Sequence, residues 1–374
     1  MRSVRLLIVT HAPLAAEFGA GQVAINLAEA LRSQGHDVTL WSPHPLPSQT
    51  KWWQSVRQMR SKLDAFIKTQ APFDVIDSPA LLITPQVSKS ALVVARSVQP
   101  DILYLMHSLK DRIEKSVRGI IRLPFSYSYS LFQIILVLQG WKRARYILCL
   151  GSLELRWMKR GFPWWRNKLM SYVNALSQAE QEALAKVRIH RKKPSPEGIR
   201  FLWIGRWTSH KGITELLDFI VKWAALCPQD TFTIAGCGTE AENDCPAELL
   251  QSGQLKILPS FERNELYSLL ANHDCGLFTS RVEGWGLVLN EMLESGMLVF
   301  ATPIGGVPDL QPFFPENLKV FPPPLGFKLE SFTNSIFQDD YYNVFSWESI
   351  AQTYAMAIFD TLNSQKIPTG QLNP

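Results

Sequence analysis

Hydrophobic positions along the chain fall into short continuous runs that alternate with helical repeats. Residues 4–10 are almost continuously apolar, as expected of a strand buried on both faces. Over 22–34, Val23, Leu27, Ala30 and Leu31 lie on one face of a helix that stops at Gly35, a residue suited to a C-cap. Residues 37–41 read as a second strand. Strand, helix, strand in this order makes a βαβ unit, which implies a parallel sheet with a right-handed crossover. The pattern continues with an amphipathic helix over 52–68 and strands over 74–76, 91–95, 101–106, 146–150 and 168–173. An aromatic and basic stretch occupies 122–145.

A polar, proline-containing segment over 187–198 separates this half from a second one that restarts the theme. Strands are expected at 200–204, 231–235, 255–258, 274–278 and 298–301, with helices at 212–225, 263–271 and 287–295. A closing helix over 346–362 carries Trp347, Ile350, Ala351, Tyr354 and Ile358 at helical spacing. The predicted fold is α/β, with two Rossmann-like doubly wound domains facing a central cleft. In such sheets ligands bind beyond the carboxyl ends of the strands. The first domain is expected to comprise 1–187 plus 348–374, the last helix packing back on it, and the second domain 188–347.

Composition narrows the class. A chain of 374 residues exceeds one core, since cores stop growing near ~250–300 residues. With 46% hydrophobic and 19% charged residues it reads as globular rather than disordered. No run reaches the ~18 apolar residues of a spanning helix. The first apolar run is too short for a signal-peptide core and reads as a strand, so a cytosolic protein is expected. The five cysteines form no C-x-x-C pair and are expected to be free thiols. The net charge of +5 conceals +13 over 1–190 and −8 over 191–374. A basic first half suggests an anionic partner: a membrane surface, an acidic glycan, a phosphate-bearing acceptor or nucleic acid.

Two strand-to-helix turns carry the candidate chemistry. In the first, Gly205-Arg206-Trp207-Thr208-Ser209-His210-Lys211-Gly212, two cations flank the start of a helix whose free N–H groups and partial positive charge favour anions. Arg206 supplies a planar fork and Lys211 a compact point charge, a combination suited to a diphosphate. The second turn runs Ser280-Arg281-Val282-Glu283-Gly284-Trp285-Gly286-Leu287 and leads into a helix carrying Glu291. Gly284 and Gly286 allow close backbone approach. Glu283 and Glu291 each accept hydrogen bonds from hydroxyls, one at the cleft mouth and one on the helix. A sugar ring, a diphosphate and a ribose in a row would satisfy the four charged groups together. Taken singly, each is an ordinary surface charge.

These segments, with Gly305-Gly306-Val307-Pro308-Asp309, resemble the retaining glycosyltransferases of family 4, which have the GT-B fold. Phe18-Gly19-Ala20-Gly21, Gly35-His36-Asp37-Val38-Thr39 and Val344-Phe345-Ser346-Trp347-Glu348 resemble the same family's opening and closing segments. The resemblance covers nearly the whole chain and is weakest over 110–145. It implies that Arg206 and Lys211 bind the donor diphosphate and offset leaving-group charge. Glu283 would hold hydroxyls of the transferred sugar, and the N–H groups around Trp285, Gly286 and Leu287, after Gly284, would line the sugar and phosphate pocket. Glu291 would bind the ribose, Gly19 and Gly21 would let the first loop approach the phosphates, and His107 would face the transferred sugar from the end of the 101–106 strand. Transfer with retention of configuration, from a UDP- or GDP-linked sugar, without a metal or other cofactor, is implied. The acceptor is expected to be a glycan or a lipid-linked molecule in cell-envelope or polysaccharide synthesis.

The chain also departs from the family pattern. Asn174-Ala175-Leu176-Ser177 stands where the family often has Asn-Gly-Val-Asp, His210 replaces a common acid, and Trp285 replaces a common Phe. Basic and aromatic residues at 51–57, 122–129 and 164–166 suggest peripheral association with an anionic membrane on its cytoplasmic side. A dinucleotide oxidoreductase is disfavoured because no G-x-G-x-x-G follows the first strand. A GT-B sugar-nucleotide epimerase and a non-catalytic sugar-nucleotide-binding module are the alternatives. Nucleic acid is not an expected partner, since no recognised module is present.

Overall fold

The computed structural model describes residues 3–15, 19–46, 54–114, 123–191, 197–329 and 340–365. The first sheet is built from β1 (Arg5–Val9), β2 (Asp37–Trp41), β3 (Val75–Ser78), β4 (Leu92–Arg96), β5 (Tyr146–Leu150) and β6 (Leu169–Tyr172). Its helices are α1 (Gly19–Ser33), α2 (Ser55–Thr69), α3 (Pro85–Ser90), α4 (Asp101–Glu114), α5 (Leu123–Arg143), α6 (Gly151–Gly161) and α7 (Gln178–Ile189). The second sheet is built from β7 (Arg200–Ile204), β8 (Thr231–Ala235), β9 (Leu255–Leu258), β10 (Cys275–Phe278), β11 (Leu298–Ala301) and β12 (Leu318–Val320). With it come α8 (Ile213–Leu226), α9 (Ala241–Asp244), α10 (Ala247–Gln251), α11 (Glu265–Asn272), α12 (Leu287–Glu294), α13 (Val307–Leu310), α14 (Tyr341–Val344) and α15 (Trp347–Gln365).

Every strand pairing is parallel, in the orders β2-β1-β3-β4-β5-β6 and β12-β11-β10-β7-β8-β9. Helices cover both faces, which is why the strands read as apolar runs rather than alternations. Leu6 and Ile8 join the core beneath α1, while Leu7 and Val9 join the core beneath α2. A third core under α8 stacks Phe201 on Phe232, with Phe219 and Trp223 packed edge-on. The closing helix α15 returns to α1, and its Tyr354 hydroxyl donates to Asp77 at the end of β3. Tyr354, Ile358 and Phe359 share one core with Leu27 and Leu31. This is the α/β, GT-B arrangement of two doubly wound sheets expected from the sequence.

One local expectation is overturned. Residues 101–106 form the start of α4, not a strand. Asp101 lies in the first turn, where a carboxylate suits the helix dipole, and the Tyr104 N–H donates to the Pro100 carbonyl. The five-residue apolar run over 102–106 does not separate strand from helix by periodicity alone. The 122–145 stretch contains α5, which leaves Tyr127, Leu131, Phe132 and Ile135 exposed. Strand β12 and helices α6 and α7 were not anticipated. The first has only three residues, and α7 starts with a capping box at Ser177 and Glu180 inside a polar segment.

Candidate functional site

The two turns singled out in the sequence meet at the carboxyl edge of the second sheet. The β7 turn passes through the 3-10 turn Ser209–Lys211 into α8, and the β10 turn leads into α12. They are stitched together by backbone. The Arg281 N–H donates to the His210 carbonyl at 2.7 Å, and the Thr279 hydroxyl donates to the Lys211 carbonyl at 2.8 Å. Gly212 makes this closeness possible. It is left-handed at φ 71°, and a Cβ there would sit 1.8 Å from the Thr279 carbonyl oxygen.

The convergence places the Lys211 ammonium on the Glu283 carboxylate, which also accepts from the Ser280 hydroxyl at 3.3 Å. Burial pushes the Glu283 carboxyl up, but the Lys211 charge and hydrogen bond, with His210 and Ser280, outweigh it and hold the group below the usual range. His210 is pushed down to about 4 by burial first, then by the Lys211 charge, so its imidazole is neutral at pH 7. The Arg206 guanidinium is exposed, and no partner among the described residues holds it. The turn therefore offers one paired and one open cation beside an ionised acid. Gly286, left-handed at φ 87°, caps α12, whose first N–H groups lack partners within the helix.

The first domain closes over this edge. The Tyr104 ring of α4 meets the His210 ring edge-on at 5.2 Å. His107, half-buried on α4, lies close enough to contribute to the lowering of His210. It reaches the site from a helix rather than from a strand end. Gly19, at the start of α1, faces Leu287 at the start of α12, 3.9 Å from a Cβ placed on the glycine.

Four further residues have neighbours that the sequence alone did not name. Gly21 is crowded by its own loop, where a Cβ would meet the Pro13 carbonyl oxygen at 2.3 Å, so its lack of a side chain serves packing. Gly284 abuts the first domain, with a Cβ there 2.5 Å from the Val98 carbonyl oxygen. The Trp285 ring turns into the core and donates from Nε1 to Asn290 at 2.7 Å, leaving only its backbone toward the turn. Glu291 is buried and ion-paired with Arg263 at 2.6 Å. The same guanidinium also reaches Glu180, which in turn accepts from Gln22 of α1 at 2.8 Å.

Asp309 and Arg263 escaped the sequence reading as residues that join the domains. The Asp309 carboxylate accepts from the Ser152 N–H at 3.0 Å and hydroxyl at 3.1 Å, at the start of α6. Its neighbours Gly305 and Gly306 pack on Trp285. The Gly-Gly-x-Pro-Asp signal was visible, but not which helix it would cap.

Two facing parallel sheets with this edge between them define a protein of the GT-B glycosyltransferase fold. Within it, residues 186–311 match the family model described as glycosyl transferases group 1. The chain is 29% identical over 123 residues to the phosphatidylinositol N-acetylglucosaminyltransferase gpi3 subunit of Schizosaccharomyces pombe, covering 32% of this chain and 27% of that protein. It is equally similar to the uncharacterized glycosyltransferase YqgM of Bacillus subtilis, over 32% of this chain and 34% of that one. The match thus spans about a third or less of these relatives. Among solved structures, sucrose-phosphate synthase from Thermosynechococcus elongatus superposes with a TM-score of 0.66 at 14% identity, covering 96% of this chain and 99% of that one. A glycosyltransferase from Rickettsia africae superposes with a TM-score of 0.63 at 15% identity, covering 97% and 99%. At these identities the structural likeness establishes the fold.

Proposed function

We propose that the chain is a retaining glycosyltransferase of family 4 that moves a sugar from a UDP- or GDP-linked donor to a glycan or lipid-linked acceptor. The pairing of Lys211 with Glu283 beside the open Arg206 carries this reading. A bound donor would place its diphosphate on Arg206 and Lys211 and its sugar hydroxyls on Glu283. Charge that develops on the departing diphosphate is then met by fixed cations and helix N–H groups, which stabilise it without reorganisation. His107, facing the same edge from α4, would contact the transferred sugar. Glu291 would take the ribose, either sharing Arg263 or displacing it. In this reading residues 1–187 with 348–374 hold the acceptor and 188–347 hold the donor, with no metal required.

A lipid-linked acceptor and peripheral attachment on the cytoplasmic side of an anionic membrane are supported by the basic first half and by the exposed apolar side chains on α5. Trp164 is exposed as well, whereas residues 51–53 and 122 and the side chains of 123–126 lie outside the described residues. No helix among the described residues is long and apolar enough to cross a membrane.

The test is a thermal-shift panel of nucleotide sugars followed by a transfer assay with the stabilising donor, the product anomer being read by NMR. Sugar transfer to an acceptor with the donor's configuration supports the reading. Epimer formation without transfer would assign the alternative activity, and binding without turnover the non-catalytic module.

A further inference from the structure

Near the end of β7 stands a tryptophan that its place in the core does not require. Trp203 belongs to the core under α8 and is 3% exposed. An aliphatic side chain could fill such a position, whereas an indole adds a buried N–H that needs an acceptor. Its Nε1 donates to the Thr279 hydroxyl at 3.1 Å, just beyond the neighbouring strand β10. The outer edge of the same ring lies against Gly205, where a Cβ would stand 3.1 Å from it, and meets the Trp207 ring edge-on at 5.9 Å.

The indole decides where the threonine hydrogen goes. A hydroxyl has one hydrogen to give, and an indole nitrogen can only donate. With the Trp203 N–H aimed at its oxygen, the Thr279 hydroxyl gives its own hydrogen to the Lys211 carbonyl at 2.8 Å. Trp203 and Thr279 are both buried, and in such surroundings successive hydrogen bonds reinforce one another. Lys211 is thereby held by its backbone while its ammonium meets Glu283. The chain from Thr279 leads directly into Ser280, whose hydroxyl donates to the same Glu283 carboxylate. One ring thus supports the first turn at Gly205, where it begins, and through Thr279 at Lys211, where it ends.

We propose that Thr279 is a positioning residue for sugar transfer, with Trp203 acting through it. The indole orients the hydroxyl, and the hydroxyl fixes the backbone from which Lys211 reaches Glu283 and the departing diphosphate. The inference rests on the donor site proposed above. A shift of ~1 Å in a charged group can cost on the order of 10²-fold in rate. Lys211 answers charge that grows as the diphosphate leaves, so its misplacement lowers kcat more than it raises the donor KM.

Thr279→Val keeps the shape and removes the hydroxyl. It is assayed on the full chain with the donor found in the nucleotide-sugar panel, at a temperature where its circular dichroism matches the parent's. Its kcat is expected to fall roughly tenfold to hundredfold, with the donor KM changed by less than about threefold. Thr279→Ser keeps the hydroxyl and should recover most of the rate. Placed on Lys211→Ala, Thr279→Val should lower kcat by less than about twofold while still lowering the melting temperature, because the group it positions is gone. Trp203→Phe removes the indole donor and should lower kcat about threefold to tenfold in the parent, and less in Thr279→Val. If Thr279→Val does not fold, Trp203→Phe measured with and without Lys211→Ala makes the same distinction. A parent chain that transfers no sugar defeats the transferase reading and this inference with it. Transfer by the parent together with a Thr279→Val kcat within about twofold of it, or with an equal loss whether or not Lys211 is present, overturns the inference alone.

Discussion

Arg263 donates to Glu291 at 2.6 Å while the same guanidinium reaches Glu180, so one side chain ties the residue expected to hold ribose to the helix that leads out of the first domain. Glu291 is 5% exposed, and burial holds its carboxyl above the usual range despite Arg263. Removing Arg263 strands that acid. Arg263→Ala is expected to cost ~1–3 kcal/mol, a figure kept low because the arginine is itself 44% exposed. Glu291→Gln in the same chain should recover part of the loss, because the buried Glu291 charge is then no longer left without its partner. Denaturant melts of the two single variants and the double variant measure the coupling, and strict additivity would contradict the account.

Lys211 and Glu283 should behave as chemistry residues rather than fold residues. Lys211→Ala and Glu283→Ala are each expected to reduce sugar transfer by ~10²–10³-fold, with far-UV circular dichroism unchanged. Rates close to the parent in both variants would remove this edge from consideration as the active site.

The loop geometry predicts intolerance at Gly212. Gly212→Ala brings both a left-handed φ and a Cβ 1.8 Å from the Thr279 carbonyl oxygen. The turn must open, which separates His210 and Lys211 from Arg281 and Glu283. A loss of ~2 kcal/mol or more, together with loss of nucleotide-sugar binding, is expected. A calorimetric titration and a denaturant melt check the two effects.

Glu154 predicts a pH dependence. It is buried at the start of α6, accepting from the Ser97 hydroxyl at 2.8 Å and the Leu150 N–H at 2.6 Å, and burial raises it from 4.5 to about 8. Between those values the folded chain keeps a proton that the unfolded chain releases, so stability falls as pH rises and levels off above about 8. Glu154→Gln removes the titration. Its amide can donate to the Ser97 oxygen while the Ser97 hydroxyl turns to the Gln99 carbonyl at 2.8 Å. Melting curves from about pH 5 to about pH 8 should decline more steeply for the parent than for the variant. Parallel curves would show that the carboxyl is ionised throughout.

The sequence by itself determined the two parallel sheets, because strands buried on both faces must be written as unbroken apolar runs, and helices between them as repeats with one apolar stripe. It also marked the two turns with Arg206, Lys211, Glu283 and the glycines, since a strand-to-helix turn that binds an anion needs those residue types within a few positions. Tertiary structure alone decided the rest. Whether 101–106 is strand or helix, whether Trp285 faces a ligand or the core, and that Glu291 meets Arg263 all depend on contacts between residues far apart in sequence. The same holds for Asp309 on Ser152. Local pattern records how much of a residue is buried, but not which distant neighbour buries it.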